Sequence, residues 1–387
     1  MGNNKSMKSI RCKAAVIRGA GEPLQIEEVE VAIPSFGEVR IKIICSSLCH
    51  SDITFSRLKD FPGVYPRILG HEAFGVVESV GEGVDEFKVG DSVVPVFLAQ
   101  CRDCVDCRES QSNLCSKFKF GPEPGMPRDG TTRFTCSDGS PIHHTIFVSS
   151  FVEYTVVDAV HLVKVDSRVP PQIACLLSCG VSTGISAAWK VAGVGPGSGV
   201  AIFGLGAVGL AVAEGARLRG ATKIIGVDLN PAKFETGKKF GLTDFINPNE
   251  IGGRPVHEVI KEMTGGSGAD YCFECIGLAS LMSEAFKSSR QGWGKTVILG
   301  VEMHGSPLAI DARELLYGKS IIGSVFGGTK PKEDIPILAK KYLDKELNLE
   351  DFITHEVNFQ DINKAFDLLL QGKSLRCTIW MDNKKGL

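Results

Sequence analysis

Four cysteines, Cys101, Cys104, Cys107 and Cys115, follow the pattern C-x2-C-x2-C-x7-C within fifteen residues. Thiolates packed this closely suit one tetrahedral zinc; iron–sulfur clusters also use four cysteines, so spacing alone does not fix the metal. Four thiolates leave no open coordination position, and the expected role is structural. A second set is dispersed: Cys49 in Cys49-His50-Ser51-Asp52, His71 in Gly70-His71-Glu72, and Cys179 in Ser178-Cys179-Gly180. Two thiolates and one imidazole make a Cys2His set with its fourth position open, an arrangement used by catalytic zinc. A third feature is the G-x-G-x-x-G turn Gly204-Leu205-Gly206-Ala207-Val208-Gly209. Its first glycine makes the tight turn, Gly206 lets a pyrophosphate approach the backbone, and Gly209 lets helix and strand pack. Asp228, about twenty residues on, can accept hydrogen bonds from the adenosine ribose and would repel a 2′-phosphate, which favours NAD over NADP.

These residues need elements to hold them. From about 11 to 100 the chain reads as short strands (14–17, 39–44 and 74–80) punctuated by Gly and Pro. The 101–147 segment is rich in Cys, Gly and Pro with little helical periodicity, so a metal would supply the folding energy that a core does not. From about 181 the texture alternates strand and helix. Strands are expected at 200–203, 223–227, 245–246, 271–275, 296–301 and 321–325, with a helix from Ala207 to about Arg219. This predicts a doubly wound parallel sheet of six strands, a complete dinucleotide fold. Two helices, 336–343 and 361–370, and a strand 376–380 follow. The βα part is therefore expected to be inserted into a discontinuous first domain. The expected boundaries are 1–180 with 326–387 for the metal-binding domain and 181–325 for the nucleotide domain.

Composition narrows the classes further. A net charge of −2 carries no electrostatic footprint for nucleic acid. No run of about 20 apolar residues could span a membrane. The start is polar and lacks a secretory apolar core, which points to the cytosol, where the thirteen cysteines stay reduced. Residues 2–6 match the N-myristoylation pattern at Gly2, but a chance match in a polar tail explains it as well, and a soluble chain is expected. The seven cysteines outside the two sets, Cys12, Cys45, Cys136, Cys175, Cys272, Cys275 and Cys377, are expected to pack as small buried hydrophobes, and the pair His143-His144 to lie at the surface.

The segments Leu48-Cys49-His50-Ser51-Asp52, Gly70-His71-Glu72, the four-cysteine lobe, Cys179-Gly180-Val181-Ser182-Thr183-Gly184, the GLGAVG turn and Gly372-Lys373-Ser374-Leu375-Arg376 occur together in one order. In them the chain resembles the zinc-containing medium-chain alcohol dehydrogenases, specifically the plant alcohol-dehydrogenase-like group, over nearly its whole length. The resemblance implies an α/β protein: a GroES-like β-rich catalytic domain with an inserted Rossmann domain. It implies two zinc ions per subunit and NAD. Cys49, His71 and Cys179 would ligate the catalytic zinc, with Glu72 behind the metal and Asp52 on the far nitrogen of His71. Cys101, Cys104, Cys107 and Cys115 would hold the structural zinc. Ser51 would contact the alcohol oxygen, and His50 and Arg376 the cofactor pyrophosphate. Lys233 would support the ribose beside Asp228, and Thr183 would pack near the nicotinamide. A homodimer joined through the edge strand of the NAD domain is also implied.

One departure stands out. Many animal members place a proton-relay His where this chain has Thr54. The expected reaction is hydride transfer between NAD and a primary or secondary alcohol, or its aldehyde or ketone. The alternative is a zinc-dependent hydroxynitrile lyase, which uses the same ligand set without moving hydride. Phe55, Phe97 and Phe118 are candidates to line an apolar substrate pocket.

Overall fold

The computed structural model describes residues 7–59, 65–121 and 124–382. The myristoylation pattern at Gly2 lies outside the described residues. The chain divides into two compact units, Met1–Cys179 with Lys330–Leu387, and Gly180–Thr329.

The first unit is built on two sheets. One runs in the spatial order Arg67–Ile68, Ile10–Ile17, Gln25–Val31, Phe134–Thr135, Pro141–Ile142. The other runs Leu162–Lys164, Ser92–Pro95, Glu72–Val80, Glu38–Ser47, Arg376–Trp380, Ile353–Asn358, and Tyr154–Asp158 also pairs with Glu38–Ser47. Alternating β-branched residues turn Val39, Ile41 and Ile43 into a core that also holds Val16, Ile17, Phe134 and Phe151. Phe134 and Phe151 are fully buried, and each such side chain contributes roughly 1.5–3 kcal/mol. The last strand, Arg376–Trp380, pairs antiparallel with Glu38–Ser47, with Thr378 opposite Ser47. The C-terminal segment thereby returns beside Cys49.

The second unit is a six-stranded sheet, all parallel. Its spatial order is Asp244–Ile246, Lys223–Val227, Gly199–Phe203, Tyr271–Glu274, Lys295–Ile298, Ser320–Gly323. Numbered along the chain this is 3-2-1-4-5-6, the dinucleotide-binding order, whose switch point falls beside Gly199–Phe203. The helix Ala207–Leu218 follows the glycine turn. Gly184 lets the helix Gly180–Ser186 pack closely on it, because a Cβ there would sit 2.4 Å from Val208 O.

Several expected elements differ in detail. The strand expected at 296–301 ends at Ile298: the Leu299 N–H makes the last ladder bond to Glu274 O, and the Gly300 N–H turns to that same carbonyl instead of continuing the ladder. The helix expected at 336–343 begins earlier, at Pro331, with Pro336 inside it. His144 is not at the surface. It is buried, packed at a tilt against Phe134, and its Nε2 accepts the Arg133 N–H. Of the seven other cysteines, Cys136 and Cys275 are only half-buried, and the remaining five are core.

Candidate metal centres and nucleotide turn

Strand register brings the dispersed set together. Ser47 pairs with Glu72, so the end of one strand lies beside the start of its antiparallel neighbour. Cys49 follows the first and His71 precedes the second. Gly70, at φ +92°, makes the approach possible; a Cβ there would meet Ser150 Oγ at 2.5 Å. Cys179 arrives from the end of the helix Pro171–Leu176. Ser178 Oγ accepts the Ala73 N–H at 3.1 Å and pins that end to the same strand. The ligand atoms of Cys49, His71, Glu72 and Cys179 all lie within 4.8 Å of one another.

Asp52 organises this cluster. It is fully buried, and its Oδ1 stands 3.0 Å from His71 Nδ1 while also accepting the Gly70 N–H. Its Oδ2 accepts the Cys49 N–H at 3.1 Å. One carboxylate thus ties both ligand-bearing segments and leaves His71 Nε2 for a metal. Burial opposes charge on His71, but the Asp52 carboxylate outweighs it and holds the imidazole pKa well above its usual value.

The hydrogen bond with Cys179 is the main reason the Cys49 thiol lies well below the usual range, with the Arg376 charge adding to it. Cys179, sharing that proton, is pushed well above. Burial raises Glu72 to about 7, although Arg376 Nε and Nη2 grip its carboxylate at 2.9 and 2.8 Å. Arg376 Nη2 also lies 3.4 Å from Cys49 Sγ, and Nη1 donates to Leu375 O. The guanidinium anticipated at a pyrophosphate therefore has its partners on Glu72 and the Cys49 thiol. Sequence reasoning missed this pair, as well as the brace from Ser178. A Glu directly after a ligand His, with an Arg far along the chain, gives no local signal of their contact.

Ser51 Oγ is 3.9 Å from Cys49 Sγ, and His50 is exposed. Thr54 Oγ1 donates to His50 O at 3.3 Å. Phe97 stands edge-on to His71, with ring centroids 6.0 Å apart. The other two aromatic candidates lie elsewhere. Phe118 stacks under Arg128 beside the four-cysteine cluster, and Phe55 packs on the core of its unit.

The four-cysteine set is compact. Cys101 and Cys107 sulfurs are 3.8 Å apart and those of Cys104 and Cys115 3.9 Å. A tetrahedron with metal–sulfur bonds of about 2.3 Å has edges of ~3.8 Å, so the spacing fits one zinc. Backbone N–H groups of Cys104, Cys107 and Phe118 point at sulfurs within 3.3–3.4 Å, as thiolates require. Lys330 Nζ donates to the carbonyls of Cys107 and Glu109 and ties the lobe to the returning chain.

In the second unit, Gly204 has φ +93°, and a Cβ on Gly209 would sit 1.9 Å from Gly204 O. A Cβ on Gly206 would meet nothing within 4 Å. The fold itself needs Gly204 and Gly209, whereas the open space at Gly206 is a cradle that a pyrophosphate fits. Asp228 accepts the N–H groups of Leu205 and Asn230 and pairs with Lys233 at 2.9 Å. Thr183 is buried in the same unit; a Cβ on Gly327 would sit 1.9 Å from its carbonyl oxygen.

A β-rich unit with two thiol-rich clusters and a 3-2-1-4-5-6 parallel sheet with a glycine turn together define a zinc-binding dehydrogenase. Residues 35–167 match the alcohol dehydrogenase GroES-like domain and residues 207–344 the zinc-binding dehydrogenase domain. The chain is 62% identical over 377 residues to alcohol dehydrogenase-like 2 of Arabidopsis thaliana, covering 97% of each chain. It is 50% identical over 384 residues to alcohol dehydrogenase 1 of Petunia hybrida, covering 99% of this chain and 100% of that one. A solved alcohol dehydrogenase zinc-binding domain protein from Burkholderia ambifaria superimposes with a TM-score of 0.89 at 31% identity, over 97% of this chain and all of that one. The chain belongs to the zinc-containing alcohol dehydrogenase family, a family of zinc-dependent alcohol oxidoreductases.

Proposed function

We propose that this chain transfers hydride between NAD and a primary or secondary alcohol or its carbonyl product, with Cys49, His71 and Cys179 as ligands of the catalytic zinc. The observation that carries the reading is the convergence of these three ligand atoms with Glu72 within 4.8 Å, with His71 oriented by Asp52. When bound, zinc supplies Lewis acidity to the alcohol oxygen and NAD supplies the hydride acceptor. The protein's own groups do the rest. Asp52 accepts the Nδ1 proton of His71, which turns the Nε2 lone pair toward the metal. Arg376 offsets the thiolate charge. Ser51 Oγ takes the hydroxyl proton of the alcohol and passes it outward. Thr54 Oγ1 donates to His50 O, and exposed His50 or solvent completes the exit.

Cys101, Cys104, Cys107 and Cys115 form the structural zinc site in this reading, and residues 181–325 the NAD-binding domain. Gly204, Gly206 and Gly209 would cradle the pyrophosphate, and His50 and Arg376 are the cations assigned to it by family resemblance. Asp228, with Lys233 beside it, selects NAD, and Thr183 packs near the nicotinamide. Asp228→Gly should weaken NAD binding and relax discrimination against NADP; unchanged preference between the two would contradict the assignment.

The same reading makes the protein a cytosolic homodimer. The last strand, Ser320–Gly323, is an open sheet edge, and Ile322, Leu316 and Tyr317 near it are 46%, 85% and 60% exposed. An isologous partner would cover such an edge. All thirteen cysteines are free, in keeping with a reducing compartment, and no helix among the described residues is long and apolar enough to cross a membrane.

The test is a panel of alcohols and, separately, of cyanohydrins, each incubated with purified protein and NAD+ while NADH and carbonyl release are followed together. Stoichiometric NADH and carbonyl from alcohols is expected. Carbonyl from cyanohydrins without NADH would replace the dehydrogenase by the lyase.

A further inference from the structure

The sheet of the second unit has a cavity of about 460 Å³ at one end. Its walls include Lys261, Ser267, Arg290, Gln291, Arg313 and Lys319. All six strands run parallel, so the residues just before each strand gather at one end and those just after gather at the other. Ser267 precedes Tyr271–Glu274, Arg290 and Gln291 precede Lys295–Ile298, and Lys319 precedes Ser320–Gly323. The glycine turn follows Gly199–Phe203. The cavity is therefore at the opposite end of the sheet from the nucleotide turn.

Four cations line it against two carboxylates, Asp311 and Glu314. Some of that charge is committed. Lys319 is buried, and its ammonium is shared by the carbonyls of Phe286 and Lys287 and by Glu314. Arg290 pairs with Asp270 at 3.0 Å and stacks on Trp293. Arg313 pairs with Asp311 at 2.8 Å but is 81% exposed, so it can turn to another anion at little cost. Lys261 has no acidic partner within 4.0 Å among the described residues, and neither the Ser267 hydroxyl nor the Gln291 amide has a hydrogen-bond partner among them.

These uncommitted donors come from three separate segments: the end of the helix Val256–Met263, the loop after it, and the turn before Lys295–Ile298. The loop contains Gly265, Gly266 and Gly268 at positive φ, which keeps its backbone bare beside the cavity. Donors supplied by separate segments around one cavity suit an oxyanion with several acceptor oxygens, such as a phosphate group. We propose that this cavity binds a small anion through a phosphate group, at a site separate from the cofactor and the metal centres.

The test is calorimetric titration of the full-length, zinc-loaded protein with inorganic phosphate, and in a parallel arm with glycerol 3-phosphate. One saturable site per chain is expected, weakened by sodium chloride. In the Lys261→Gln/Arg313→Gln double variant affinity should fall at least tenfold, with thermal stability and NAD affinity unchanged. Lys261→Gln alone should give an intermediate loss and serves if the double variant is poorly folded. Glycerol 3-phosphate binding more tightly than phosphate would assign the site to an organic phosphate; equal affinities would assign it to free phosphate. No saturable binding, or binding that both variants leave unchanged, would overturn the proposal.

Discussion

Asp52 shows how much of this chemistry rests on one side chain outside the ligand set. It accepts from Cys49 N, Gly70 N and His71 Nδ1 at 3.0–3.1 Å, so it fixes both the backbone approach and the tautomer. In Asp52→Asn the amide carries only one acceptor oxygen for these three donors. Zinc affinity at the Cys49–His71–Cys179 site should fall by about 10–100-fold, the usual cost of losing such a partner, while the four-cysteine site keeps its affinity. Chelator competition with two resolved zinc populations measures both. Unchanged affinity at both sites would remove Asp52 from the account. The members of the Cys49–His71–Cys179 cluster were legible because Cys, His and Cys sat in characteristic local contexts. Arg376 and Glu72 were legible as candidates, but not as a pair, because 304 residues separate them and only strand register unites them. His144 was misread as a surface residue because two adjacent histidines in a loop give no periodicity from which burial can be inferred.

At the scale of elements, the glycine turn separates what the fold needs from what a ligand needs. Gly206→Ala adds a methyl group into open space at φ −82°, so stability should change by less than about 0.5 kcal/mol while NAD binding weakens. Gly209→Ala drives a methyl group against Gly204 O and should destabilise by at least about 1–3 kcal/mol. Denaturant midpoints together with NAD titration of the two variants make the comparison. Loss of stability in both, or NAD affinity intact in Gly206→Ala, would refute the cradle. The parallel sheet was readable from alternating short apolar strands and helices, and Lys223–Val227 and Arg376–Trp380 fall at their expected bounds. Strand ends were less readable: at Gly300 the N–H turns to the Glu274 carbonyl already used by Leu299, a tertiary event without a local sequence signal. The short strands Phe134–Thr135 and Pro141–Ile142 were invisible for the same reason, since two residues carry no period.

The whole molecule has an acid sensitivity built into its core. His144 and His161 are buried and neutral, with burial pushing them down to about 3 and about 4. Their folded values lie below the unfolded value of about 6.5, so the unfolded chain takes up protons first as pH falls. Stability is unaffected above that value and is lost progressively below it. At pH 5 each histidine should have cost about 2 kcal/mol relative to pH 7. In His144→Gln the loss between pH 7 and pH 5 should shrink by about that amount, read from denaturant unfolding at the two pH values; an identical loss would show that His144 does not carry it.

The two candidate metal sites differ in kind, one closed and one open. Cys49→Ser tests that division directly, by metal analysis of the purified variant alongside the NADH assay. Zinc should fall from two equivalents per chain to one, with the four-cysteine zinc retained and NADH formation from alcohols abolished. Two equivalents of zinc in the variant, or undiminished NADH formation, would contradict it.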